Sequence, residues 1–346
     1  MRKRKNIMKA VLIIILAVSL VLSAGCGGKA PQANAPAKSP EKIVVKLAHN
    51  LPITHHLARG MESFAKKVSE KSQGKIQIDI YPSGQLHNDK SMNDAIMTGG
   101  IDMGLNSTAM WSSVIPAMEI FDVPFLFPSY DRIKKALDGG VGEKLSKEME
   151  KKGAKALIWA DYGFVQFANN KKPITKPEDF KGLKLRGYGE LPSETIKALG
   201  AAPVTMGSGE VYMAIQRGTI DGQTSGTTAM YDRKMYEVTK YLTMTNHAFP
   251  EFVLAVNLKF WNSLSEENQK IIQAAADEVR DEIRAGTKSE DEKALNLLKE
   301  KGMQVYVVPE SEIGVWQKAT EPVQAIFVQR AGALGQELID ICKSVK

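Results

Sequence analysis

The chain of 346 residues contains 46 Lys and Arg and 39 Asp and Glu, a formal net charge of +7. Five of the basic side chains and none of the acids lie in residues 1–25, so the remainder carries 41 basic against 39 acidic residues, a net charge of +2. A nearly balanced charge argues against nucleic-acid binding, which requires a concentrated basic surface. The remaining chain, about 320 residues, is long enough for two lobes of ordinary size.

The N-terminal segment has the pattern of an export signal. Its basic residues precede an apolar run over 10–22, interrupted only by Ser19, which is shorter than the ~20 residues of a membrane-spanning helix. Small residues then lead to Cys26, and Leu22-Ser23-Ala24-Gly25-Cys26 resembles the lipobox of bacterial lipoproteins, in which the cysteine is acylated. We therefore predict a lipoprotein signal peptide over residues 1–25 and lipidation with palmitate at Cys26.

Residues 26–42 are rich in Pro, Ala and polar residues without periodicity, which is typical of a flexible tether. The only other cysteine, Cys342, has no disulfide partner if Cys26 is lipidated, so we expect it to be a small buried side chain on the last helix. A lipid anchor, a tether and a globular body are typical of a surface receptor and fit a diffusing enzyme less well.

The first elements after the tether alternate between strand and helix. A strand over 43–47 is followed by a helix that Thr54 can cap and whose apolar residues recur at helical spacing. A strand over 76–80, a helix over about 88–98 and a strand over 101–105 come next, separated by Gly- and Pro-containing turns. This alternation predicts an α/β lobe built on a largely parallel sheet.

A short sequence unit occurs twice, 119 residues apart. Ala95-Ile96, then Gly99, then Ile101-Asp102 is repeated as Ala214-Ile215, then Gly218, then Ile220-Asp221. In both copies the glycine can take the left-handed conformation that ends a helix, and a strand follows at once. One copy in each half supports a protein of two similar lobes.

The later elements complete the second half. Strands are predicted over 157–160 and 183–185, and a helical pattern runs from Ser263 to Lys301, with Ser263 and Glu266 placed to form a capping box. A helix of this length would suit a brace lying across both lobes. A late strand over 304–308 precedes a final helical segment.

The signatures of enzymes are missing from the sequence. No histidine pair has the spacing of a zinc protease, and there is no nucleophile elbow, phosphate loop or dinucleotide fingerprint. His49 and His55 could line a cleft, although an ordinary satisfied imidazole is the simpler interpretation. We predict no catalytic residues, no metal and no cofactor.

Arg186 is the residue that points to a binding function. It lies at the end of the strand around residues 183–185, and ligands of open α/β lobes lie beyond the carboxyl ends of their strands. A guanidinium there can hold a carboxylate through two parallel hydrogen bonds. A surface arginine paired with Glu190 or Asp179 is an equally good interpretation from position alone.

Residues 43–280 resemble the solute-binding proteins of TRAP (tripartite ATP-independent periplasmic) transporters, of the four-carbon dicarboxylate-binding type. The matching motifs occur in the family's order and spacing. They are Phe64-Ala65, Lys71 to Ile76, Tyr81 to Leu86, Gly100 to Gly104, Phe121 to Phe127, Gly182 to Arg186, Leu199 to Val204, Glu210 to Tyr212 and Asp221 to Gln223.

The resemblance implies a type II periplasmic-binding-protein-like fold, with two α/β lobes joined by hinge strands and a long bridging helix. The family's carboxylate-binding arginine falls on Arg186. Two departures argue against a sialic acid ligand: Thr224-Ser225-Gly226 follows Asp-Gly-Gln, and Ser208 stands where sialic acid binders have Phe. A second arginine of some members is replaced by Val165. The other candidate ligand-binding residues are Tyr188, Asn106, Trp111, Ser208, Gln223, Thr224, Ser225, Phe252 and His49.

The sequence therefore predicts an extracytoplasmic, lipid-anchored, monomeric receptor that captures a small organic acid by lobe closure and delivers it to TRAP permease subunits. We assign residues 43–162 plus 251–290 to lobe I and residues 163–250 plus 291–346 to lobe II. The alternatives are the receptor of an ABC importer, a ligand sensor of the same fold, or a secreted enzyme. The acid could be a dicarboxylate, a sugar acid, a keto acid or an aromatic acid.

Overall fold

The structure, a computed structural model, describes residues 42–345. The predicted signal peptide, the lipidation at Cys26 and the tether up to residue 41 lie outside the described residues. Within residues 42–345, no helix combines the length and the apolar character needed to cross a membrane.

The described chain forms eleven strands and eleven α-helices, joined by loops and by short 3-10 and π-helical segments. The strands are β1 (Ile43–His49), β2 (Ile76–Tyr81), β3 (Met103–Ser107), β4 (Ala154–Asp161), β5 (Val165–Asn169), β6 (Lys184–Gly187), β7 (Ala202–Thr205), β8 (Gly222–Gly226), β9 (Tyr241–Ala248), β10 (Glu251–Asn257) and β11 (Gln304–Val307). The helices are α1 (His56–Lys71), α2 (Met92–Thr98), α3 (Thr108–Trp111), α4 (Tyr130–Ala136), α5 (Gly142–Lys151), α6 (Glu190–Ala198), α7 (Val211–Gln216), α8 (Thr227–Asp232), α9 (Leu258–Ser263), α10 (Glu266–Glu300) and α11 (Ile313–Ser344).

The strands form two mixed sheets. The first sheet has the order β2-β1-β3-β10-β4, in which β1, β2 and β3 are parallel and β10 is antiparallel to both of its neighbours. The second sheet has the order β11-β9-β5-β8-β6-β7, with β6, β7 and β8 parallel. In each sheet the parallel strands bring their carboxyl ends to one edge, where a ligand can be held.

Between β1 and β11, the chain passes from one sheet to the other at three places. Residues 162–164 join β4 of the first sheet to β5 of the second, and residues 249–250 join β9 of the second sheet to β10 of the first. Helix α10 follows the first sheet in the chain and leads to β11 of the second sheet. Helix α10 buries Ala275, Val279 and Ile283 in the core of the first sheet. Two strand crossings and one long helix confirm the predicted architecture of two α/β lobes with hinge strands and a bridging helix.

The repeated sequence unit has the same structure in both halves. Gly99 and Gly218 have positive φ values of 82° and 74° and end the helices before β3 and β8. The aspartate that follows each glycine accepts a hydrogen bond from the neighbouring strand: Asp102 from the Lys46 amide of β1 and Asp221 from the Lys184 amide of β6, both at 2.8 Å. Each carboxylate thus fixes the start of a parallel strand pair in its own sheet.

Two predicted helix caps are wrong. Helix α1 is capped by His55, whose Nδ1 accepts the Leu57 amide, because the Thr54 hydroxyl donates to Asp232 instead. Helix α10 is capped by Ser265, because Ser263 ends the short helix α9.

The last helix corrects the assignment of residues 291–346 to lobe II. Helix α11 is kinked at Gly332, and Trp316 near its start is buried with side chains of the second sheet. Val323, Phe327 and Cys342 belong instead to an apolar cluster that contains residues of β1 and β10. The part of α11 from Val323 onward therefore packs against the first lobe, and Cys342 is buried there as expected.

Candidate functional site

A small enclosed cleft lies where the carboxyl ends of the parallel strands of both sheets meet. Asn50 follows β1 and Ser107 ends β3, while Arg186 and Ser225 lie at the ends of β6 and β8. The space open to the centres of water molecules inside it is about 50 Å³, which corresponds to roughly four waters. The cleft is lined by Asn50, Leu51, Asp89, Ser107, Met110, Tyr162, Val165, Arg186, Tyr188, Ser208, Gln223, Ser225, Arg233, Pro250 and Phe252.

Arg186 is buried in this cleft, with only 4% of its surface exposed. Its Nε donates to the Met206 carbonyl at 3.1 Å, and its guanidinium carbon lies 5.7 Å from the centre of the Tyr188 ring. These contacts orient the side chain, while its two terminal nitrogens have no hydrogen-bond acceptor within residues 42–345. Burial lowers the pKa of Arg186 to about 10 against the opposing effect of the Asp89 charge, so the group is still cationic at neutral pH.

A second guanidinium reaches the same cleft from just beyond the end of α8. One terminal nitrogen of Arg233 donates to the Asn50 carbonyl at 2.9 Å, which ties this second-sheet helix to the loop after β1. Burial also lowers the pKa of Arg233. In the described part of the chain, no carboxylate lies within ion-pairing distance of either Arg186 or Arg233. Asp89 lines the same cavity and offsets only one of the two positive charges, so the cleft is suited to an anion.

Polar contacts cross the cleft at Ser208. Its backbone amide donates to Asp89 Oδ2 at 2.8 Å, and its hydroxyl accepts the Asn50 side-chain amide at 3.0 Å. Asp89 and Asn50 belong to the first lobe and Ser208 to the second, so both contacts require that the lobes be closed.

Aromatic side chains form the walls of the cleft. Tyr162 stacks on Phe252 with ring centres 4.9 Å apart, and its hydroxyl lies 3.2 Å from Ser225 Oγ. Tyr188 donates its hydroxyl to the buried Asp122 at 2.7 Å. These rings exclude water and leave the inward polar groups in a medium of low polarity, where charge-assisted hydrogen bonds are strong.

Six of the predicted ligand-binding residues line the cleft: Arg186, Tyr188, Ser208, Gln223, Ser225 and Phe252. The pairing of Arg186 with Glu190 or Asp179 does not occur, since Glu190 pairs with Arg330 and Asp179 accepts from Thr175.

The other four predicted residues do not line it. Asn106 turns its amide to the Asp89 carbonyl and to Asn93, and Trp111 is buried in the apolar cluster behind the cleft. The Thr224 hydroxyl faces His247, 3.4 Å away. His49 is buried, and burial lowers its pKa to about 4. Alternation along a strand explains Asn106 and Thr224, whose neighbours Ser107, Gln223 and Ser225 face the cleft instead.

Sequence reasoning missed Asn50, Asp89, Tyr162 and Arg233. Tyr162 begins the first crossing between the sheets, a place that the strand pattern could have indicated. Asn50 follows the end of β1, Asp89 lies in a turn and Arg233 follows a short helix, so no periodic pattern marks them.

The arrangement of charged, polar and aromatic side chains in the cleft is suited to binding a ligand. Among residues 42–345, no group of three or more His, Cys, Asp and Glu side chains is placed to hold a metal ion. The cleft offers two guanidinium groups, one carboxylate, neutral hydrogen-bonding groups and aromatic walls.

Known proteins are similar to this chain in sequence and in fold. A family model described as bacterial extracellular solute-binding protein, family 7, matches residues 47–330. The C4-dicarboxylate-binding periplasmic protein DctP of Rhodobacter capsulatus is 31% identical over 296 residues, which cover 85% of this chain and 89% of that protein.

Two solved structures of TRAP periplasmic solute-binding proteins are similar over most of their length. One, from Sulfurospirillum deleyianum with bound succinate, is 30% identical with a TM-score of 0.83 and covers 88% of this chain and 99% of its own. The other, from Polaromonas and bound to D-erythronate, has the same identity of 30%, TM-score of 0.83 and coverage of 88% and 99%. The resemblance found in the sequence motifs is thereby confirmed, and the chain belongs to the bacterial extracellular solute-binding protein family 7, a family of TRAP solute-binding proteins.

Proposed function

We propose that this protein captures a small organic acid between its two lobes and delivers it to the membrane subunits of a TRAP transporter. One observation carries the proposal: Arg186 and Arg233 present two positive charges to an enclosed cleft in which neither forms an ion pair with the described residues and Asp89 contributes only one negative charge. Uncompensated buried charge is costly, so a site of this kind is completed by an anion.

The strength of such a site is consistent with a transport receptor. A hydrogen bond to a charged group contributes about 1.5–3 kcal/mol, and Arg186 has two terminal nitrogens free to bind a carboxylate through parallel bonds. Micromolar binding requires about 8 kcal/mol in total. The arginine fork therefore supplies a large part of the affinity, and Arg233 and the neutral polar groups supply the rest.

Lobe closure follows from the positions of the cleft residues. We take lobe I to comprise residues 43–162, residues 251–290 and the part of α11 from Val323 onward, and lobe II the remainder from residue 163. The hydrogen bonds of Asn50 and Asp89 to Ser208 join the two. An acid that contacts both lobes at once has higher affinity for the closed state and shifts the population toward it. The closed lobes then present a joint surface to the permease.

The relatives support an acid as the ligand. The DctP protein of Rhodobacter capsulatus is described as C4-dicarboxylate-binding, and the two solved structures hold succinate and D-erythronate. We propose that the protein is exported, anchored by lipid at Cys26, monomeric and without catalytic activity. The anchor is supported by the N-terminal sequence alone.

The test is to identify the bound acid and then to remove Arg186, the side chain that we propose binds its carboxylate. Mass spectrometry of the purified protein should reveal a co-purifying carboxylate, and calorimetry should measure its Kd with the stripped protein. Arg186→Ala should weaken binding by roughly a hundredfold or more, the equivalent of two charge-assisted bonds. Arg217→Ala, which removes an exposed arginine of the same lobe, is the matched control. Equal affinity in the wild type and Arg186→Ala would refute the proposed binding mode.

A further inference from the structure

The charges that line the cleft do not cancel. Arg186 and Arg233 contribute two positive charges and Asp89 one negative charge, so the lining has a formal charge of +1. Neighbouring histidines add nothing, since burial lowers the pKa of His49 to about 4 and that of His55 well below its ordinary value. A ligand with one negative charge makes the closed cleft neutral, whereas a ligand with two leaves a buried excess of negative charge.

The cleft also contains hydrogen-bond acceptors that lack a donor. Asn50 Oδ1 is buried and has no partner among the described residues, although the same side chain donates to Ser208. Asp89 accepts the Ser208 amide through Oδ2, and its other oxygen, Oδ1, receives no hydrogen bond from residues 42–345. An acceptor left without a donor in a closed cavity opposes binding, so the ligand has to supply O–H or N–H groups at this end.

A carboxylate at neutral pH is an acceptor only and cannot satisfy these oxygens. A second carboxylate beside Asp89 would add repulsion between like charges to the unmet acceptors. Hydroxyl groups meet both needs, since each can donate to Asn50 or Asp89 and accept from Ser208, Ser225 or Gln223.

We infer that the ligand is a short hydroxy-monocarboxylate, whose single carboxylate binds Arg186 and whose hydroxyl groups bind Asn50 and Asp89. The inference rests on the proposed function and narrows its substrate class. Asp89 is then the residue that sets specificity, because it both repels a second carboxylate and accepts a hydroxyl. The space open to the centres of water molecules, about 50 Å³ or roughly four waters, favours a short acid.

Three acids of equal carbon number separate these contributions. D-erythronate has one carboxylate and hydroxyl groups, succinate has two carboxylates and no hydroxyl, and butyrate has one carboxylate and no hydroxyl. Calorimetry on the wild-type protein, freed of co-purified ligand, should give a Kd for D-erythronate at least about tenfold lower than for either of the others, which is the effect of one well-placed hydrogen bond. The inference would be overturned if either succinate or butyrate bound as tightly as D-erythronate.

Asp89→Asn provides the matched variant, because it removes the charge while keeping an oxygen for the Ser208 amide. The ratio of the succinate Kd to the D-erythronate Kd should fall at least about tenfold in this variant and stay unchanged in Asp94→Asn, which alters an exposed acid of α2. An unchanged ratio in Asp89→Asn would refute the specificity role. Failure of all three acids to bind the wild type, with other carboxylates also inactive, would instead refute the proposed function. The wild-type ranking tests the inference even if a variant does not fold.

Discussion

Replacing Gly163 with alanine tests how the first crossing between the lobes is built. Gly163 has a φ of +104°, and a Cβ added there would lie 2.8 Å from both Cγ and Oδ1 of Asp291. Asp291 cannot move away freely, because its buried carboxylate accepts the hydroxyls of Tyr130 at 2.8 Å and of Thr227 and Thr228 at 3.1 Å. The substitution therefore combines backbone strain with displacement of a fixed charged group.

The two contributions can be estimated separately. A residue with a Cβ held at positive φ costs about 1–3 kcal/mol, and loss of a hydrogen bond to a charged group costs about 1.5–3 kcal/mol more. Substitution of Gly182 measures the backbone strain alone, since its φ is +84° and an added Cβ would meet nothing within 4 Å. Because 1 kcal/mol lowers the Tm of a domain of 150–250 residues by about 2–4 °C, we expect Gly182→Ala to lower it by a few degrees and Gly163→Ala by at least about 6 °C.

Differential scanning calorimetry measures the difference in Tm between Gly163→Ala and Gly182→Ala. A third comparison separates the contact from other effects: in an Asp291→Ala background the obstruction is gone, so Gly163→Ala should lower the Tm no more than Gly182→Ala does. Such non-additivity is expected only for residues in contact. Equal losses for Gly163→Ala and Gly182→Ala in the wild-type background would show that the close approach to Asp291 has no energetic consequence and would refute the reasoning.

Three further substitutions test the buried side chains. Burial raises the pKa of Asp122 to about 8 from an ordinary value of 3.8, so the folded state binds this proton more tightly than the unfolded chain. The free energy of unfolding should therefore fall as the pH rises from about 4 to 8, by up to ~1.4 kcal/mol per pH unit. Asp122→Asn should flatten the dependence of Tm on pH, and parallel curves for the two proteins would contradict this. Glu251 is fully buried beside Asp161, and burial together with the Asp161 charge raises its pKa well above the ordinary 4.5. The folded state therefore opposes ionisation of Glu251 as the pH rises. Glu251→Gln, which cannot ionise, should raise the Tm at pH 8, and a lower Tm there would contradict this. Phe64→Ala should lower the free energy of unfolding by about 3–5 kcal/mol because Phe64 is fully buried in the core of the first sheet. Val44→Ala, at a side chain 47% exposed, should change it by less than ~1 kcal/mol. Similar losses in the two variants would be inconsistent with this packing.

Much of the local structure could be predicted from the sequence because it depends on near neighbours in the chain. The alternating isoleucines of β2 and the long periodic pattern of α10 are recognisable without any partner. The repeated unit is local too, since Gly99 and Gly218 end their helices through their own backbone conformation. The placement of Arg186 followed from the family motif together with the rule that strand ends carry ligands.

Contacts between side chains that are distant in the sequence could be identified only from the tertiary structure. Thr54 does not cap α1 because it donates to Asp232, 178 residues away, and the contact of Asn50 with Ser208 spans 158 residues. Arg233 and Asp89 enter the cleft from elements whose local sequence shows no pattern for it. Most of the elements, the fold family and the arginine that we propose as the carboxylate-binding group could therefore be inferred from the sequence. The composition and charge of the closed cleft, and so the class of acid it admits, are determined by contacts between distant segments, which arise only when the two lobes pack together.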